Sequence, residues 1–197
     1  YAGNIQYYSL FAHYKEVLLE KNAHYVKQTY RNRCQILTAN GVMNLTIPVE
    51  KVSGEKVLDK DVRISSTDWQ RVHWNAIESA YNNSPFFLYY EDDIRPMYEK
   101  KFEFLLDFNL QLQEILVSLL GLNTNFKLTE SYINLHENDL REVLSPKYKG
   151  ELPNFKSTPY YQVFKEKFGF VENLSVFDLL FNMGNESILI LRDSYTK

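Results

Sequence analysis

RNRCQILTANGVMNLTIPV, residues 31–49, is the stretch that decides how the chain folds. It contains Asn40-Gly41, the strongest short-range signal for a two-stranded hairpin, because such turns need positive φ and glycine adopts it freely. In the second arm Met43, Leu45, Ile47 and Val49 alternate with Asn44, Thr46 and Pro48, the period of a strand with one buried face. In the first arm Cys34 and Ile36 fall on the core side. The same period puts Arg31, Arg33 and Gln35 on the opposite side. The two arginine stems then start about 6.5–7 Å apart, two strand rises, which suits a shared anion.

The segment leading into the hairpin, HYVKQTYRNRC at 24–34, adds Lys27, Tyr25, Tyr30 and Asn32, a dense cluster of donors and rings in a chain of formal charge −3. Guanidinium forks bind carboxylate or phosphate bidentately and lysine adds a point charge, so Lys27, Arg31 and Arg33 can be read as an anion site. From spacing alone, a solvated strand face paired with nearby Asp or Glu is the plainer reading. A nucleic-acid grip would need an extended basic surface with stacking rings. Tyr25 and Tyr30 could stack, but the acidic remainder of the chain speaks against it.

Upstream, NIQYYSLFAHY (4–14) has helical spacing of its apolar residues, and EVLLE (16–20) is a short buried strand. A helix followed at once by a strand suggests a βαβ start whose first strand would precede residue 1. The chain opens without Met, which fits an internal piece of a longer product. A cleaved targeting segment ahead of it is compatible with that reading.

Downstream, the charged run 50–61 reads as a solvated loop and VRI (62–64) as a short strand. Thr67 and Gln70 have the spacing of a capping box before the helix WQRVHWNAIESAYNN. Ser84 and Pro85 suit the start of another helix. Beyond Arg95-Pro96 a long helix is predicted over about 97–120, ended by Gly121, with Leu105, Leu112 and Leu116 in its apolar stripe and Asn109 between them. FKLTES reads as a strand, 138–144 as a short helix, 145–159 as loop and YYQVF as a strand. A final helix is capped by Ser175 and Asp178 and ended by Gly184. The sum is an α/β fold: a mixed β-sheet with helices packed against it, as one domain over residues 1–197.

Polar residues on apolar faces are the other candidates. His73 is four residues from both Trp69 and Ile77, either a satisfied core histidine or a general base facing a pocket. Asn109 needs partners if buried, from a strand end or from a ligand. Cys34 has Arg33 beside it but sits on the predicted core face, where a thiol is inert. The histidines at 13, 24, 73 and 136 have no metal-binding spacing. No phosphate-loop, dinucleotide or nucleophile-elbow motif is present, and the sequence leaves the cofactor unknown. One cysteine points to a reducing compartment and a cytoplasmic location. The longest apolar run, 115–122, falls well short of the ~18 residues a membrane span needs.

HYVKQTYRNRC followed by LTIPV, then the W-x-x-x-H-W-x-x-I-x-x-A-Y-x-x-x-P-F-F pattern, LLDFNLQLQ in a long helix and LSVFDLLFNMG, in that order, resemble the WbqC-like family. The likeness runs through nearly the whole chain. Family members usually begin with a strand and a Pro-containing turn; Tyr1-Ala2-Gly3-Asn4 stands there instead. The family's association with bacterial surface-polysaccharide and natural-product genes implies transfer chemistry on sugars or acyl groups. The positions matching its motifs are Lys27, Asn32, Arg33, His73, Tyr81 and Asn109.

Two functions follow as expectations. One is a transferase using an activated, phosphate-bearing donor, with Lys27, Arg31 and Arg33 on the anion, His73 moving a proton, and Tyr30, Asn32, Tyr81 and Asn109 around the substrate. The other is a non-catalytic binding or assembly protein of such a pathway.

Overall fold

The computed structural model describes residues 1–50, 57–134, 136–148 and 152–196. The 31–49 stretch forms an antiparallel hairpin of β2 (Arg33–Thr38) and β3 (Gly41–Thr46), with Arg33 opposite Thr46 and Ile36 opposite Met43. Ala39 and Asn40 make the turn, and Gly41, at φ 104°, is the residue that needs glycine's freedom. Cys34, Ile36, Leu45 and Ile47 are buried, whereas Met43 near the tip is exposed. Burial pushes the Cys34 thiol up to about 12, so it stays protonated and unreactive.

The first helix, α1 (Ile5–His13), is capped by Asn4, whose side chain accepts from the Tyr7 N–H at 3.0 Å. It leads into β1 (Glu16–Leu19), which pairs in parallel with β4 (Asn125–Leu128). The class is therefore mixed α/β, with its parallel and antiparallel strands in two separate two-stranded sheets. Helices α2 (Trp69–Tyr81), α3 (Phe87–Ile94), α4 (Pro96–Glu99) and α5 (Leu105–Leu119) follow the hairpin. After β4 come α6 (Lys165–Phe168), α7 (Val176–Met183) and α8 (Ser187–Asp193). Among the described residues no helix is long and apolar enough to cross a membrane.

Several elements differ from the sequence reading, each because a tertiary partner wins over a local preference. The predicted helix over 97–120 is two helices. Residues 103–105 are drawn out to pair with 62–64, through Ile64 N–H to Glu103 O at 2.9 Å and Leu105 N–H to Val62 O at 2.9 Å. The predicted strand VRI takes part only in single bridges, Ile64 to Val49 and Arg63 to Phe104. The Thr67–Gln70 capping box does not form: α2 starts after Asp68, and the Gln70 amide donates to the carbonyls of Met97 and Lys100 instead. Ser84 bonds back to the Tyr81 carbonyl at 2.6 Å, and α3 starts only at Phe87. Residues 138–144 form turns rather than a helix. YYQVF is not a strand; the Gln162 amide pairs with both backbone groups of Val171, at 2.9 Å each. The loop predicted over 50–61 falls in part on residues 51–56, outside the described residues; from Asp59 to Asp61 the chain makes a 3₁₀ turn. The helix read as the last one forms at α7, with Ser175 at its N-cap and Gly184 at its end. Asp178 does not cap it, since its carboxylate accepts from Tyr81, Tyr160 and Gln162, and α8 follows it.

The core is unusually aromatic. Phe108 of α5 is fully buried and touches the rings of Tyr1, Trp69, Tyr98 and Phe102 at centroid distances of 5.1–6.1 Å. Such edge-on contacts add to the area term. Truncating a ring at a close-packed centre leaves a cavity that the neighbours cannot all fill. Phe108→Ala is therefore expected to lower unfolding free energy by about 3–5 kcal/mol in urea titrations, with Phe108→Leu losing much less.

Candidate functional site

Helix α5 has two working faces. Leu105, Phe108, Leu112 and Leu116 point into the core, while Leu106, Asn109, Leu110 and Gln113 recur on a neighbouring stripe. That second stripe forms one wall of a cleft of about 510 Å³. The opposite wall is Tyr1 to Asn4 with Tyr7, Tyr8 and Phe11 from α1 and Tyr14 just after it. β1 and the turns at 136–144 close one end, and Thr29, Tyr30, Arg31 and Asp59 close another. A mostly apolar cavity of this size with a few convergent polar groups suits a small-molecule ligand.

Arg31 is the most constrained of those groups. Its Nε donates to Asp59 Oδ2 at 2.7 Å, and its Nη1 reaches Thr29 Oγ1 only at 3.5 Å. Its backbone carbonyl accepts from Asn109 Nδ2 at 2.7 Å. The guanidinium is thus fixed from one edge, and its Nη2 has no partner among the described residues. Burial raises the Asp59 carboxyl above its ordinary range, while the adjacent Arg31 works the other way. Tyr7, from α1, donates to Gln113 Oε1 at 2.7 Å across the cleft. Burial raises its hydroxyl pKa, so it stays a neutral donor.

A second charged group lies at the β1 end. Arg141 is gripped by Asp139 and donates to the Ile133 carbonyl at 2.8 Å, and its Nη1 stands 3.8 Å from Glu20. Burial acts to raise the Glu20 carboxyl, but donors on Ile133, Asn22 and Thr129 outweigh it and hold the group below its usual range. His136 lines the same end, and its Nδ1 accepts from the Asn138 N–H at 3.3 Å. Among the described residues no group of His, Cys, Asp and Glu is arranged to hold a metal ion.

The WbqC-like protein family model matches residues 1–147. The chain belongs to the WbqC-like family. All the residues lining the cleft fall within the matched span, the last being Leu144. An uncharacterized protein of Mycobacterium tuberculosis, Rv1507c, is 26% identical over 212 residues, covering 94% of this chain and 91% of its own length. No solved structure shows a significant match.

The residues singled out by sequence in this WbqC-like chain divide in two. Tyr30, Arg31 and Asn109 line the cleft. Lys27, Asn32, Arg33, His73 and Tyr81 do not. Arg31 lies in the turn at 30–32 rather than on β2, so the period of two does not reach it and the shared Arg31–Arg33 face is not formed. Lys27 is exposed outside the cleft. Asn32 is buried and ties the hairpin base through Nδ2 to the Ile47 carbonyl at 3.0 Å. His73 sits in the core behind Tyr1, whose hydroxyl is 3.0 Å from its Nδ1. Burial lowers His73 to about 4, with the Thr46 backbone contact opposing. Tyr81 donates to the buried carboxylate of Asp178 at 3.0 Å, alongside Tyr160 at 2.6 Å and Gln162 at 2.8 Å. Burial raises Asp178 to about 6, and those three donors act against it. Of the cleft groups that sequence reasoning passed over, Gln113 was detectable: it stands one helical turn after Asn109. Asp59, Glu20 and Arg141 carry no local signal.

His73 and Asp178 give opposite pH slopes. The folded state holds His73 at about 4 against an ordinary value of 6.5. Stability tied to it is present above 6.5 and is lost as pH falls toward 4, by about 3 kcal/mol. Asp178 is at about 6 against 3.8, so it gives up a similar amount as pH rises from 4 to 6. Wild-type stability between pH 4 and 6 should therefore be nearly flat in these two groups. Asp178→Asn should steepen the acid loss, and His73→Gln should reverse it to a gain on acidification. Urea unfolding at stepped pH measures both.

Proposed function

We propose that this WbqC-like chain is a transferase that binds a phosphate- or carboxylate-bearing donor in the cleft, with a sugar or acyl body, for bacterial surface-polysaccharide or metabolite synthesis in the cytoplasm. The observation that carries the reading is Arg31. One edge of its guanidinium is occupied by Asp59, and the residue lines an aromatic and aliphatic cavity. A pre-oriented fork loses less entropy on meeting an anion than a free side chain does. Tyr30 and Asn109 would flank the bound group, and the rings of Tyr7, Tyr8 and Phe11 would carry its less polar part. In this reading His73 and Tyr81 act as core residues, and Lys27, Asn32 and Arg33 shape the hairpin base rather than touch the ligand.

A second reading, a non-catalytic binding or assembly protein, is favoured by one feature. Leu88 and Tyr89, neighbours on α3, are 77% and 71% exposed apolar side chains that are not among the residues lining the cleft.

Thermal-shift titration of the wild type and Arg31→Ala with nucleotide sugars, CoA thioesters and inorganic phosphate tests the first reading. A true ligand at ~100 times its dissociation constant adds ~2.7 kcal/mol to native stability, an easily measured rise in Tm. The wild type alone should show it. Equal shifts in both proteins, or no shift with any phosphate-bearing compound, would contradict the Arg31 site.

A further inference from the structure

We infer that the cleft also receives an extended peptide segment, paired to the open edge of β1, as the second substrate of the transfer. Its role as a substrate rests on the proposed donor site at Arg31; the docking itself does not.

The first observation is which residues of β1 border the cleft. Glu16, Val17, Leu18, Leu19 and the following Glu20 all do. Side chains alternate between the two faces of a strand, so an unbroken run of residues borders one cavity only where that cavity follows the strand's edge. β4 holds the other edge of β1, and no residue of β4 lines the cleft.

The second is the backbone along that edge. Asn125 N–H donates to Lys15 O at 2.9 Å and Thr129 N–H to Leu19 O at 3.0 Å, so the ladder to β4 uses Lys15, Val17 and Leu19. The N–H and C=O groups of Glu16 and Leu18 therefore turn the other way, along the cleft. Among the described residues no other part of the chain bonds to them. Leu18 is 45% exposed, although parallel strands are normally covered. A row of unpaired strand groups is a template for a further strand, and a two-stranded sheet gains most from a third. A peptide repeats its N–H and C=O groups every second residue, about 6.5–7 Å, which is the spacing offered here.

The third is what surrounds the edge. Leu10 and Phe11 of α1, Leu106 and Leu110 of α5, and Leu140 and Leu144 of the turns at 136–144 line the same cleft. In strand addition main-chain bonds hold the peptide and apolar pockets take its alternate side chains. The edge also leads to the donor site. Just past the carboxyl end of β1, Lys21 O accepts from Lys60 N–H at 3.2 Å and Ala23 O from Asp59 N–H at 2.8 Å, which brings the Asp59–Arg31 pair to that end. A peptide laid along β1 is thereby led toward the Arg31 donor site, where a transfer needs its acceptor.

Affinity selection on the intact protein from a randomised pool of acetylated pentapeptide amides, followed by an N-methyl scan of the peptides retained, tests this. Every second N–H of a strand faces its neighbour, so methylation should cost about tenfold or more in affinity at alternate positions and little at those between. Bound peptide should slow hydrogen exchange at the Leu18 amide and leave Val17 and Leu19, already paired with β4, unchanged. Leu18→Pro removes one outward donor and spares the ladder to β4, a change that edge strands tolerate, and it should weaken binding to a similar degree. No retained peptide, an N-methyl scan without alternation, or a Leu18 amide already slow to exchange in the unliganded protein would overturn the inference. None of these outcomes alters the thermal shifts that test Arg31, so the donor site stands or falls separately.

Discussion

The Arg31–Asp59 pair is the interaction on which the rest of the site depends. Its short contact, 2.7 Å, joins the turn ahead of the hairpin to the 3₁₀ turn at 59–61. The same residue's carbonyl is held by Asn109 of α5, so one arginine links three separate parts of the chain. Asp59 is almost wholly buried, and removing its partner would leave a carboxylate in a poor environment. That is a strong reason for the guanidinium to stay where it is. A charge fixed in this way has little freedom to give up when an anion arrives, which is what a recognition group requires.

The cleft around it comes from a conflict between two uses of α5. A helix packed in a core needs one apolar stripe, and α5 has it at Leu105, Phe108, Leu112 and Leu116. The adjacent stripe is half apolar and half amide, and it faces α1 across a cavity rather than across packed side chains. A polar bridge, Tyr7 to Gln113, joins the two elements. Aromatic contacts around Phe108 hold α5 in place behind this wall. The core therefore provides rigidity on one side of the helix and the opening on the other.

How much of this was legible in the sequence depended on the range of the forces involved. The hairpin, the first helix and the Ser175–Gly184 helix were readable because alternation, turn glycine and caps are local signals. The break in the long helix was not, since it is made by residues 62–64 pairing with 103–105 from far along the chain. Arg31, Tyr30 and Asn109 stood out by type and crowding. His73 stood out for polarity on an apolar face and Tyr81 as a position of the family's motif, and both are answered within the core, by Tyr1 and Asp178. Nothing in the charged run around Asp59 marks out in sequence the carboxylate that folds back onto Arg31.

The most direct test of the cleft as the ligand site is to watch its own side-chain protons. With isotopically labelled protein, the side-chain amide signals of Asn109 and Gln113 and the Arg31 Nε–H can be followed as a nucleotide sugar is added. The account predicts that these three move together and saturably, while the amides of Gln162 and Asn182, buried in the α7 region, stay still. Shifts confined to the exposed α3 surface, with Asn109, Gln113 and Arg31 unmoved, would contradict it.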